Sequence, residues 1–126
     1  MYCRGALSLA VGSVAALAVQ VLWFIGVDRA SLLGRSLEPR TDAVLDPAFW
    51  RHERFWKLGL AGDSVLMALL RGTPFMGLVW RALGVRVGRQ LLDDGGSITE
   101  KTLTTLGDHA TLGETALIQG HSLEDG

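Results

Sequence analysis

A chain of 126 residues has room for one domain and little more, and a net charge of −1 gives no electrostatic case for nucleic acid. Aromatics make up 7% of a composition that is 48% hydrophobic, so the apolar material is mainly Leu, Val and Ala. A single cysteine, Cys3, excludes an internal disulfide and a thiol-rich metal site.

Residues Ala6 to Val27 carry no charge, and Gln20 is their only strongly polar side chain. As a helix these 22 residues extend about 33 Å, enough for a hydrocarbon core of roughly 30 Å. Trp23 and Phe24 stand near the end of the run, where an aromatic belt falls. The segment is therefore expected to span a membrane. A signal peptide cleaved after Ala16-Leu17-Ala18 is the rival reading, but the apolar run continues for nine residues past Ala18. A buried soluble helix needs more chain around it than is present. Only Arg4 precedes the span, whereas Arg29, Arg35, Arg40, Arg51, Arg54 and Lys57 follow it. That bias predicts a cytoplasmic C-terminal side.

Residues 28–53 are mixed and polar, with Pro39 and Pro47, and read as a connector. Within them Asp46-Pro47 predicts a helix start, aspartate capping and proline in the first turn. Phe55 to Leu70 is strongly apolar but interrupted by Lys57 and Asp63. A second span of this length is short and would bury Asp63, so a helix on the membrane surface, or in a hairpin against the first span, is expected. Asp63 is then solvated or paired with Lys57 or Arg71. Gly72-Thr73-Pro74 breaks the chain, and Phe75 to Leu83 predicts a short amphipathic helix that covers the end of a β-helix.

The β-helix is expected from spacing. An aliphatic residue recurs every six positions, at Leu106, Leu112 and Ile118, with a small residue four later each time, at Ala110, Ala116 and Ser122. Six fits neither an ordinary helix nor an alternating strand; it is a period of parallel β-helices, with the aliphatic residue turned inward. Leu83-Gly84-Val85-Arg86-Val87-Gly88 fits the same pattern, one residue out of register with Leu106. The slip is placed at Leu91-Leu92-Asp93-Asp94-Gly95-Gly96, whose Asp and Gly residues suit a turn or bulge. The pattern stops at Gly126 without a cap, so the sequence is expected to be a piece of something longer, or its open end is covered by a partner. No tight His/Cys cluster exists along the sequence: His109 and His121 are twelve residues apart, and His109 and His52 read as surface residues.

The string from Gly72-Thr73-Pro74 through Arg81-Ala82-Leu83-Gly84, Val87-Gly88-Arg89, Asp94-Gly95, Thr99-Glu100 and Leu106-Gly107-Asp108 to Gln119-Gly120-His121-Ser122-Leu123-Glu124-Asp125-Gly126 resembles the membrane-bound C-terminal region of the polylysine synthetase family. Those are nonribosomal-peptide-synthetase-like proteins that join amino acids into homopolymers. The resemblance covers roughly residues 54–126. It implies an α+β membrane protein: an N-terminal transmembrane helix and amphipathic helices, followed by a short, about two-coil, left-handed parallel β-helix like that of hexapeptide acyltransferases. The expected divisions are 1–53 for the span and polar connector, 54–83 for a membrane-associated helical hairpin, and 84–126 for the β-helix. The family's adenylation and carrier regions are absent from this sequence, so it cannot itself activate an amino acid.

By the same resemblance the reaction is amide-bond formation, and the donor is a carrier-protein phosphopantetheine thioester; no bound cofactor or metal is expected. His121 is the expected general base, since an imidazole both accepts and releases a proton near neutral pH. Glu124 or Asp125 would orient its ring or draw a cationic amine. Ser122 occupies a small-residue position and is read as structural first. The expected partners are the membrane, a carrier-bound aminoacyl substrate and, through the open end of the repeat, a second copy of the chain. Two other functions compete: an acetyl- or acyl-coenzyme A transferase, which needs further coils for its donor groove, and a non-catalytic membrane scaffold, in which His121 is dispensable.

Overall fold

The computed structural model describes residues 2–41, 43–62 and 66–121. The apolar N-terminal run is one helix, α1 (Tyr2–Ser31), reaching four residues beyond Ala6 and four beyond Val27. Gly5–Ser31 is long and apolar enough to cross a membrane. Only one stripe near its C-terminal half is covered: Leu17, Val21, Phe24 and Ile25 pack on the core, and Asp28 is buried one turn later. Those positions follow the helical period and lie on one face. Leu7, Leu9, Val11, Val14, Val19, Leu22 and Trp23 are all exposed. Such a surface is stable in lipid and unfavourable in water.

The connector is shorter at its start than expected, because α1 runs past residue 28, while α2 (Pro47–Gly62) begins at the anticipated proline. The anticipated cap is present: Ala48 N–H donates to Asp46 Oδ1 at 2.7 Å. α2 packs against α1. The short α3 (Leu66–Leu70) comes next, and Asp63 between them lies outside the described residues. α4 (Phe75–Leu83) has the predicted bounds and amphipathic character, burying Met76, Gly77, Val79, Trp80 and Leu83. It ends at Gly84, whose φ of 104° is a left-handed cap that glycine adopts without strain.

The expected two-coil left-handed β-helix over 84–126 is not what forms. The described residues contain three separate two-stranded parallel sheets with two residues in each strand: β1 (Arg86–Val87) with β4 (Thr105–Leu106), β2 (Leu92–Asp93) with β5 (Thr111–Leu112), and β3 (Ser97–Ile98) with β6 (Leu117–Ile118). The physical reasons are local. Each strand has one neighbour only, so no ladder continues to close a helix of strands. The spacing is also uneven. Partners are 19 residues apart in the first two sheets and 20 in the third, and the 3-10 turn Lys101–Leu103 takes up part of the excess.

The core lies between these strands and α4. Trp80, Leu83, Val85, Ile98, Leu106 and Leu112 are buried together, with Ile118, Ala110 and Ala116 packed at the margin. Each large apolar side chain so buried contributes roughly 1.5–3 kcal/mol. One polar exception is Asp93, which faces inward opposite Leu112 and is fully buried. Its Oδ2 accepts the Trp80 indole N–H at 2.5 Å, and its Oδ1 accepts the Gly95 and Gly96 amides at 2.9 and 2.7 Å. Asp93 thereby closes the Asp-Gly turn and pins α4 to it. Replacing Trp80 by Phe keeps most of the packing but leaves Oδ2 without its donor. A loss of about 1–3 kcal/mol is expected, read as a lower midpoint of thermal unfolding in detergent.

Candidate functional site

Three elements converge on one carboxylate. His52 lies on the second turn of α2, which Asp46 starts and α1 supports. Glu100 sits between β3 and the 3-10 turn. His121 follows β6 directly. Because Ile98 pairs with Ile118, residues 100 and 120 are brought side by side. An 18-residue coil, as three six-residue units imply, would set Thr102 beside Gly120 instead; the two additional residues in this sheet bring Glu100 there, one position before His121.

Glu100 is 2% exposed and both of its oxygens are engaged. Oε2 accepts from the Thr99 hydroxyl at 2.5 Å and the Gly120 amide at 2.6 Å. Oε1 meets His52 Nε2 at 2.8 Å and His121 Nδ1 at 2.5 Å. Burial by itself pushes this carboxyl up. The hydrogen bonds from Thr99, Gly120, His52 and His121 outweigh burial and hold it down at about 2. It is therefore a carboxylate throughout the physiological range.

That carboxylate dictates the imidazole tautomers. Facing an acceptor, Nδ1 of His121 carries the proton, so Nε2 of the neutral ring is the free base. Nε2 in turn accepts from the Gln119 side-chain amide at 3.2 Å, which agrees with this assignment. The ring is held from both sides as well. His52 meets it edge-on with centroids 4.9 Å apart, and Trp56 stacks on it at 6.3 Å. Trp56 is itself fixed, its indole N–H donating to Glu53 at 3.0 Å. Hydrogen bonds from Lys57 and then from Trp56 lower the pKa of Glu53 below the usual carboxylate range.

The site brings His121 partners that the sequence expectation does not include. His121 is half-buried and oriented, as a base requires, but by Glu100, which spacing alone does not single out. Glu124, Asp125 and Ser122 lie outside the described residues. His109 is exposed, with φ of 60°. His52 is not the isolated surface residue that its sequence context suggests: 69 positions from His121 in sequence, it is an immediate neighbour in space. His52, Glu100 and His121 place one ligand-type atom each within 4.8 Å of one another, a grouping that sequence spacing does not reveal.

Lys101, next to Glu100, ties this cluster to α1. Its Nζ lies 3.0 Å from Asp28 Oδ1 and 4.7 Å from the centre of the Phe55 ring. Both charged side chains are buried, at 5% and 1% exposure.

No family model matches the chain, and no solved structure does. Delta-poly-L-ornithine synthetase of Acinetobacter baumannii (strain AB307-0294) is 39% identical over 98 residues, covering 75% of this chain. The chain spans 7% of the length of that synthetase. The similarity is distant, and it relates this chain to synthetase-like proteins.

Proposed function

We propose that this chain is the membrane-anchored acyl-transfer part of a synthetase-like system, forming amide bonds from carrier-bound aminoacyl thioesters with His121 as general base. The observation that carries the reading is the orientation of His121. A buried carboxylate holds Nδ1–H at 2.5 Å, which puts the lone pair on Nε2, where a substrate amine takes the place of the Gln119 amide that donates to it at 3.2 Å. Nε2 removes a proton from the acceptor amine as its nitrogen attacks the thioester carbonyl. The new C–N bond forms, the C–S bond breaks, and the departing thiolate takes the proton back from Nε2. Glu100 stabilises the imidazolium that exists between the two transfers. The distant similarity to a poly-ornithine synthetase supports a polymer-forming amide chemistry over a coenzyme A-dependent one.

The location of the site agrees with this role. The Asp28–Lys101 pair sets Glu100 beside the C-terminal last turn of the span, so a carrier protein would deliver its thioester near the membrane surface. The excess of Arg and Lys after the span favours the cytoplasmic face.

The test uses the full chain in detergent micelles with an ornithyl- or lysyl-phosphopantetheine thioester and free amine acceptor, and mass spectrometry of the amide product. His121→Ala is expected to lower turnover by about 10²–10⁴-fold. Turnover equal to that of the unsubstituted chain would remove His121 from the chemistry.

A further inference from the structure

We propose that His52, Glu100 and His121 also form a Zn²⁺ site, and that zinc bound there silences His121 as a base. Two imidazole nitrogens converge on a single carboxylate oxygen, at 2.8 and 2.5 Å, and come from helix and strand elements far apart in sequence. Zinc takes imidazole nitrogen at about 2.0–2.1 Å and carboxylate oxygen at about 2.0–2.2 Å, which sets ligand atoms roughly 3.3 Å apart in a tetrahedral site. Relative to the present contacts, the two imidazoles need to withdraw from Oε1 by about 0.5–0.8 Å each, and their nitrogens, within 4.8 Å of one another, to settle at that same separation.

The donor set narrows the metal to a first-row ion that accepts imidazole. Two imidazoles and one carboxylate suit Zn²⁺, whereas Mg²⁺ and Ca²⁺ favour oxygen ligands throughout. Glu100 also has the outer support of a built ligand. Its other oxygen stays fixed by Thr99 and the Gly120 amide while Oε1 turns to the ion. Three protein ligands leave the fourth position to water.

Zinc and base chemistry exclude one another by tautomer. Once Nδ1 of His121 coordinates zinc, the neutral ring must carry its proton on Nε2 and can no longer accept one from an amine. The Gln119 amide, now donating to Nε2 at 3.2 Å, would turn to present its oxygen. The inhibitory half of this inference rests on the general-base reading; the binding half stands on geometry alone, and the two are measured separately.

Binding is tested on the chelator-treated full chain in detergent, titrated with ZnCl₂ by calorimetry. One zinc per chain is expected. His52→Gln and His121→Asn each preserve an N–H for Glu100 but offer no imidazole, so the fold is retained, and each is expected to weaken binding at least tenfold. His109→Gln is expected to bind zinc as the unsubstituted chain does, and excess Mg²⁺ is expected not to compete. Absence of binding, or equal affinity in both His52→Gln and His121→Asn, overturns the site. A zinc-loaded chain that forms amide as fast as the metal-free chain overturns the inhibition while leaving the site intact. A metal-free chain without turnover instead counts against the base reading itself.

Discussion

Replacing Lys101 by Met is expected to destabilise this chain by about 3–5 kcal/mol. The reason lies in what remains. Asp28 is 1% exposed on the face of α1 that packs against the core, and the Lys101 ammonium at 3.0 Å offsets part of the cost of its burial. Removing the ammonium leaves that carboxylate buried and uncompensated. Replacing both partners together, as Asp28→Leu with Lys101→Met, removes the buried charges along with their attraction and is expected to be nearly neutral. Thermal unfolding of the two single variants and the double variant in detergent forms the cycle that checks this. A double variant as unstable as Lys101→Met alone would show that the pair is not what joins α1 to the strands. The pair also has a positional consequence. Because Lys101 follows Glu100 directly, loosening it is expected to disorder the site before the apolar core is lost.

The second large effect concerns Glu100. An unfolded glutamate titrates near 4.5, and the folded carboxyl near 2. The folded state therefore binds fewer protons than the unfolded state between those values. The stabilisation from Glu100 is complete above about 4.5 and disappears as the pH falls toward about 2. A depression of this size corresponds to about 3 kcal/mol. Glu100→Gln keeps an acceptor for the Gly120 amide but sets an amide group against the two imidazole donors. It is expected to lower stability at neutral pH by about 2–3 kcal/mol and to flatten the acid limb of stability between pH 4.5 and 2. Unfolding midpoints measured across that range for both proteins decide the matter. An unchanged acid limb in the variant would mean that another carboxyl governs it. Turnover is expected to fall as well, because nothing then selects the His121 tautomer.

Much of the helical part of this fold is legible in the sequence. An uncharged run as long as α1, an Asp-Pro start and an amphipathic nine-residue helix are each local patterns, set by backbone capping and side-chain period. The inward placement of Leu106 and Leu112 is equally local. The strand architecture is less legible. The six-residue spacing suggests a continuous helix of strands, but two-residue strands with one neighbour each, and partners 19 or 20 residues apart, make three separate pairs. Spacing reports which side chains point inward; it does not report how many neighbours a strand will find.

The candidate site divides in the same way. His121 is recognisable from its residue type and its place at the end of the repeats. Sequence proximity points to carboxylates three and four positions on as its partners, whereas Glu100 arrives from the preceding turn of chain and His52 from α2. A contact of that kind depends on two residues beyond the six-residue register in one sheet and on how α2 lies against α1, and no short window of sequence contains either. Local patterns are enough to locate the long apolar helix α1, to start α2 and α4, and to single out His121. The group that His121 faces is a product of tertiary packing. A buried carboxylate needs every one of its donors at once, and those donors are spread over 69 residues of chain.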